Sequence, residues 1–244
     1  MLWVRPGEPV ASPSVGAIAY TVRRSERARR ARLVVTPEGV ELVVPRRMPL
    51  EEAAAFARER RGWLERALRR LDSALEAHPP ARVADGAPLP YLGNELHLRV
   101  VIQPGRRRPR VRRSGDVLEV AVGSRAGQGV QAAVERWYRA QAREEIGRRL
   151  DDATARAGTS YGRLTIRDQR TRWASCSSSG TMSFNWRLLL APADVLDYVV
   201  EHEVAHLEVP DHSPRFWRLV ARRLPSYRES RDWLRRHGTS LRLG

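Results

Sequence analysis

Residues 193–208, ADVLDYVVEHEVAHLE, constrain the fold more than any other stretch of the chain. After Pro192 the apolar side chains recur at helical spacing, while Asp194, Asp197, Glu201 and Glu208 fall on one line of the helix, expected to face solvent. The rest of the surface is apolar and must be covered, so the segment predicts a buried helix wrapped by other elements. His202 and His206 lie one turn apart on the line of Val195 and Val199, so both imidazoles leave the same face. Glu203 shares the neighbouring line with Leu196, Val200 and Leu207, partly shielded from water.

With His212 added, three of the six histidines fall within eleven residues. Neutral imidazoles at i and i+4, with a carboxylate beside them, are what metal-assisted hydrolysis needs: two ligands and a base for the proton of a metal-bound water. A catalytic zinc site commonly has a third protein ligand and one open position. Pro210 and Asp211 end the first helix, and Ser213-Pro214 can cap and start the next. His212 therefore sits in a turn able to return on the first two. The gap from His206 to His212 equals that of metzincins, but Val209 stands where their glycine would be. Met1, Met48 and Met182 all precede the motif, so no Met-turn follows it.

The formal net charge of +16 invites an acidic partner such as a nucleotide or nucleic acid. All 44 basic residues are arginine, however, which reads equally as compositional bias. The lack of lysine excludes a Walker A loop and Schiff-base chemistry. Cys176 is the only cysteine, so no intrachain disulfide can form. With no secretory signal and no apolar run of membrane length, the expectation is a cytoplasmic protein with no membrane partner.

Residues 1–16 are expected to be disordered. Residues 17–124 form a β-rich N-terminal region, with an antiparallel meander at 17–44 and one long amphipathic helix at 50–77. In the same region ELHLRVVIQ and DVLEVAVG read as strands joined by an arginine-rich hairpin tip. Residues 125–244 form the metal-dependent domain: a helix from Val130 to near Gly158, strands with at least one hairpin up to Arg187, and helices at 193–208, 213–224 and 226–236. No internal repeat is evident. Cys176, Trp173, Trp186 and Trp217 are expected to pack. Tyr198 and Tyr227 carry hydroxyls able to stabilise an oxyanion, though the sequence places neither at the metal.

The segments RTRWASCSSSGTMSFNWRLLLAP and DYVVEHEVAHLEVPDHSPRFW, with the N-terminal YTVRRSERARRARLVV, resemble the YgjP-like metallopeptidase domain of the SprT-like zincin group. That resemblance implies an α+β zincin-like fold with a small antiparallel sheet. It also implies one zinc ion per chain, held by His202, His206 and His212, with Glu203 as general base. A strand beside the cleft could then pair with an extended peptide substrate, with Ser183 and Asn185 lining it and Arg170 and Arg172 binding anionic groups. Asn185 reads equally as a structural hydrogen-bonding residue.

Three functions follow. The first is a zinc-dependent hydrolase of amide bonds acting on a peptide or protein. The second, drawn from the arginines, is a metal-dependent hydrolase of nucleotide phosphoanhydrides. Three imidazoles count against it, because magnesium prefers oxygen ligands. The third is a nucleic-acid-associated protease or binding module, which a structural zinc with only three ligands does not favour.

Overall fold

The computed structural model describes residues 13–124, 129–169 and 172–244. Most of the segment expected to be disordered, 1–16, lies outside these residues, and so does Arg170. The chain forms two compact units, 1–77 and 78–244, with an α+β architecture of six α-helices and three small sheets among the described residues.

The first unit contains β1 (Ser14–Val15), β2 (Ile18–Ser25), β3 (Arg32–Thr36) and β4 (Gly39–Pro45), then α1 (Leu50–Glu59) and α2 (Arg61–Ala77). Val40, Leu42 and Val44 alternate onto the buried face of β4 and share a core with Ala53, Ala57 and Leu64. Two expectations are corrected here. The strands are not an antiparallel meander: β2 runs parallel to β4, and β3 reaches β4 from the far side as its hairpin partner. The long helix divides at Arg60, whose N–H bonds back to the carbonyls of Phe56 and Ala57 before α2 begins.

The second unit opens with β5 (Pro88–Tyr91), β6 (Asn94–Ile102), β7 (Arg110–Ser114) and β8 (Val117–Val122). The strands at 94–102 and 117–122 were expected to form a hairpin, but they are parallel. Part of the arginine-rich run is itself β7, which turns at Gly115, a residue with φ of 63°, into its antiparallel neighbour β8. The order β5-β6-β8-β7 reproduces β1-β2-β4-β3, with the same sense at every pairing. The chain therefore does contain a repeat, one of topology.

Helix α3 (Val130–Ala157) follows and ends at Gly158, which takes the left-handed conformation with φ of 63°. Its apolar line of Val134, Tyr138, Ala142, Ile146 and Leu150 is fully buried. On one side it shares a core with Leu89, Leu96, Leu98, Leu118 and Val120 of the preceding sheet. This shared core is why the units part at Ala77 and His78, whereas composition had suggested 124 and 125.

Then come β9 (Arg163–Arg167), β10 (Ala174–Cys176) and β11 (Thr181–Asn185), in the order β10-β11-β9. β10 and β11 form the expected hairpin, but β11 also pairs in parallel with β9, so this sheet is mixed and β11 is its central strand. A 3-10 turn at Trp186–Leu190 leads into α4 (Ala193–Ala205), followed by α5 (Pro214–Arg223) and α6 (Tyr227–His237).

Candidate metal centre

Helix α4 is buried on nearly every side, with Val195, Leu196, Val200 and Val204 at most 1% exposed. Its acidic line is the expected solvent-facing stripe only in part: Asp194 and Glu208 are exposed, whereas Asp197 is half-buried and Glu201 buried. Arg149 of α3 bonds Asp197, Arg156 of α3 bonds Glu201, and Arg223 of α5 bonds Glu208. Three of the four carboxylates on this line are answered by guanidinium groups of neighbouring helices, and the fourth, Asp194, accepts from the Ser230 hydroxyl at 3.1 Å.

The other face carries the histidines. The rings of His202 and His206 are 5.0 Å apart, and His212, from the turn between α4 and α5, is 5.0 Å from the first and 4.7 Å from the second. One ring nitrogen from each lies within 4.8 Å of the others. The nitrogen His206 Nδ1 lies 3.1 Å from the carbonyl of Val209. A carbonyl only accepts, so Nδ1 carries the proton and Nε2 presents its lone pair to the cluster. The Nε2 atoms of His202 and His212 face each other at 3.0 Å.

Phe216, in the first turn of α5 and fully buried, packs against all three rings at 4.5 to 4.9 Å. Pro214 at the helix start fixes where that turn begins and so directs Phe216 under the cluster.

Burial and the neighbouring imidazoles push His202 down to about 3, and burial also lowers His206. Both are therefore neutral at ordinary pH, the form in which imidazole ligates a metal. Three convergent imidazole nitrogens fit a divalent transition ion such as zinc and suit magnesium or calcium poorly.

Glu203 is 6% exposed, and burial pushes its carboxyl up to about 7, against the opposing pull of the Cys176 N–H it accepts from and of the Arg172 guanidinium. Its Oε2 is buried with no hydrogen-bond partner. The Cys176 main chain was not foreseen as Glu203's partner, because it meets α4 only through sheet geometry. The Cys176 thiol is half-buried and pushed up, first by burial and then by Glu203, so it is a poor nucleophile. Burial raises Tyr198 to about 12, and its ring lies 5.8 Å from that of His202, stacked beyond on Tyr227.

Arg172 is exposed and close enough to act on Glu203. Ser183 is half-buried on the central strand, opposite Ser175 and Thr165. Asn185 is 2% exposed, and both ends of its amide serve the backbone: Nδ2 donates to the Gln169 carbonyl at 2.8 Å and Oδ1 accepts from Arg187 N–H at 3.1 Å. Its structural reading prevails over the cleft-lining one. Trp186 is fully buried, whereas Trp173 and Trp217 are partly buried. None of the helices among the described residues is long and apolar enough to cross a membrane.

The sequence matches the YgjP-like, metallopeptidase domain family over residues 29–237. Among solved structures it is similar to the metallopeptidase zymogen of Pyrococcus abyssi abylysin, at 26% identity over 40% of this chain and 97% of that one, with a TM-score of 0.35. No curated protein matches. Because the family match spans most of the chain, the protein belongs to the YgjP-like metallopeptidase domain family and is a metal-dependent hydrolase.

Proposed function

We propose that the protein is a zinc-dependent peptidase of zincin-like fold, with one zinc held by His202, His206 and His212 and with Glu203 as general base. The observation that carries this reading is the position of Glu203: a nearly buried carboxyl with one unbonded oxygen, on the residue next to one histidine of a three-imidazole cluster. A zinc ion held by His202, His206 and His212 would supply a Lewis acid for a peptide carbonyl and would acidify a water. Glu203 takes the proton of the attacking water and delivers it to the departing amine, a task suited to a carboxyl poised near neutrality. His206 is held in the ligating tautomer by its bond to Val209, an outer contact of the kind that orients metal-bound imidazoles.

The strand that pairs with substrate is β10, because β11 is hydrogen-bonded on both edges and β10 keeps one edge free for an extended peptide. Hydrogen bonds from Asn185 N–H to the Trp173 carbonyl and from Ser177 N–H to the Thr181 carbonyl set the alternation on this edge. The main chain of Ala174 and Cys176 therefore faces away from β11. Cys176 N–H serves Glu203, leaving Ala174 to pair with an extended peptide. Arg172 favours acidic side chains in that peptide.

The test compares metal content and turnover of a denatured protein substrate by the parent and by Glu203→Gln. Equal zinc in both, with turnover reduced at least a hundredfold in the variant, is expected on the size of general-base effects. Full activity of the variant removes Glu203 from the mechanism.

A further inference from the structure

Between residues 96 and 122 the chain carries seven arginines and two carboxylates, Asp116 and Glu119. The arginines gather along one border of the second unit's four-stranded sheet. β7 is the end strand of that sheet, bonded to β8 on one side. Arg110, Arg112 and Arg113 are exposed on it, as are Arg107 and Arg108 in the preceding turn. That turn is held against the sheet. Arg106 bonds Gln103 through both its main chain and its side chain, and its carbonyl lies 2.4 Å from where a Cβ on Gly123 would stand, a closeness that only glycine permits.

Register decides which groups face outward. Gly115 and Asp116 form a two-residue turn, so Ser114 and Val117 exchange both main-chain hydrogen bonds. Counting back by twos, Arg112 and Arg110 also bond β8, and the N–H and carbonyl of Val111 and of Arg113 point to the open edge. Arg113 lies over the Tyr91 ring at 4.7 Å and Val111 packs on the shared core, whereas Arg110 and Arg112 stand on the opposite face. The carboxylate across from them on that face, Glu119, is bonded by Arg99. None of the described carboxylates forms an ion pair with Arg110 or Arg112.

Charged edges keep copies of a protein from pairing, but the fold does not require this one. β3 holds the same place in the sister sheet and reads RLVVT, one arginine in five, close to the 44 in 244 of the whole chain, whereas β7 reads RVRRS. Composition therefore does not account for the edge either. Arginines that repel a second β7 attract a strand of opposite charge.

We infer that the open edge of β7 pairs with an extended acidic segment of another protein, its main chain bonded to Val111 and Arg113 and alternate Asp or Glu side chains beside Arg110 and Arg112. Residues opposite each other on paired strands put their side chains on one face, so acidic residues two apart meet both guanidinium groups. The main-chain bonds fix the register and the charged contacts select the sequence. A nucleic acid answers the charge but has no strand of alternating donors and acceptors for the edge. Recruiting protein substrates through this edge rests on the peptidase reading, whereas the pairing itself does not.

The experiment measures fluorescence anisotropy of labelled probes with the full-length Glu203→Gln chain in chelator. The first probe is a short peptide alternating glutamate and threonine. Its comparators are a peptide of the same composition with the glutamates in one block, a fully N-methylated copy of the alternating peptide, and an oligothymidylate of equal charge. The alternating peptide is expected to bind about fivefold or more tightly than each comparator, on the size of cross-strand pair effects. Arg110→Gln combined with Arg112→Gln is expected to weaken it by a similar factor. Val111→Pro is expected to do the same with an unfolding midpoint near the parent's, because proline there removes an N–H that bonds nothing within the sheet. Any comparator binding as tightly as the alternating peptide would overturn the assignment, the oligothymidylate by making this a nucleic-acid surface. Saturable binding of none of the probes would do so too, as would a doubly substituted chain that binds like the parent. Binding that survives these changes and is lost on Arg172→Gln would place the peptide on β10 instead. A parent chain that pairs with the alternating peptide and cleaves no protein would sink the peptidase reading alone, whereas an active peptidase that does not pair sinks only this edge.

Discussion

Replacing Glu203 by glutamine has a second consequence that does not depend on turnover. In the metal-free chain the carboxyl is pushed from its ordinary 4.5 up to about 7, chiefly by burial. The unfolded chain therefore releases this proton first, and the folded state loses stability as pH rises from the unfolded value through the folded one. Below that window the carboxyl is neutral in both states and costs nothing. At about pH 8 it is ionised in both, and holding the charge in place destabilises the fold by about 3 kcal/mol, from 1.36 kcal/mol for each tenfold change in proton affinity. The side chain is nearly buried, so solvent screening leaves most of this figure intact.

Glutamine has the shape of the protonated acid and does not titrate. The variant should therefore gain on the parent by about 2 kcal/mol between pH 5 and pH 8, where the linkage is steepest. Urea unfolding of both proteins in chelator at the two pH values measures this directly. His202 titrates in the opposite sense, since its lowered value makes the fold lose stability as pH falls, but it is present in both chains and cancels in the difference. A stability gap that does not change with pH would refute the reasoning, because it would mean that Glu203 is ionised without penalty and is not the poised base inferred above.

Three further outcomes can be measured. Stripping metal with a chelator should lower the thermal midpoint and zinc should restore it, with about 4 kcal/mol recovered at a thousandfold excess over the dissociation constant; magnesium is expected to restore nothing. Asn185→Ala should cost about 1–3 kcal/mol of stability, because it strands a buried carbonyl and an N–H. It should leave KM nearly unchanged, and a large rise in KM would return Asn185 to the substrate cleft. A chain beginning at His78 should fold cooperatively and keep the histidine cluster, whereas one beginning at residue 125 should not, since it strips α3 of the sheet that covers it; circular dichroism melts of the two separate these outcomes.

Much of the centre was legible because it is local. His202, Glu203 and His206 lie within one helical turn and a quarter, so spacing alone places their side chains, and Pro214 fixes the turn from which His212 returns. Contacts made across the fold were not legible. Nothing near Glu203 in sequence announces the Cys176 N–H, and nothing near Glu201 announces Arg156, 45 residues away. The acidic line of α4 shows how such a reading goes astray. Period 3.6 locates a polar stripe correctly but cannot distinguish solvent from a neighbour's guanidinium groups. Only a partner such as Arg149, itself largely buried between Glu145 and Asp197, decides which it is.

The sheets carry the same lesson at larger scale. Alternation identified the strands of both four-stranded sheets but not their directions, because a period of two is identical for parallel and antiparallel partners. Proximity in sequence favoured hairpins, and β3 and β7 are indeed hairpin partners, yet each hairpins forward onto the next strand and leaves the earlier one to pair in parallel. Both sheets make this choice, and both are followed by helix. The repeat escaped a search for similar residues because only topology and the inward apolar positions are held in common: Val40, Leu42 and Val44 in one sheet, and Leu118, Val120 and Val122 in the other. Those positions tolerate any apolar side chain of suitable volume, so packing preserves the arrangement where sequence identity does not reveal it.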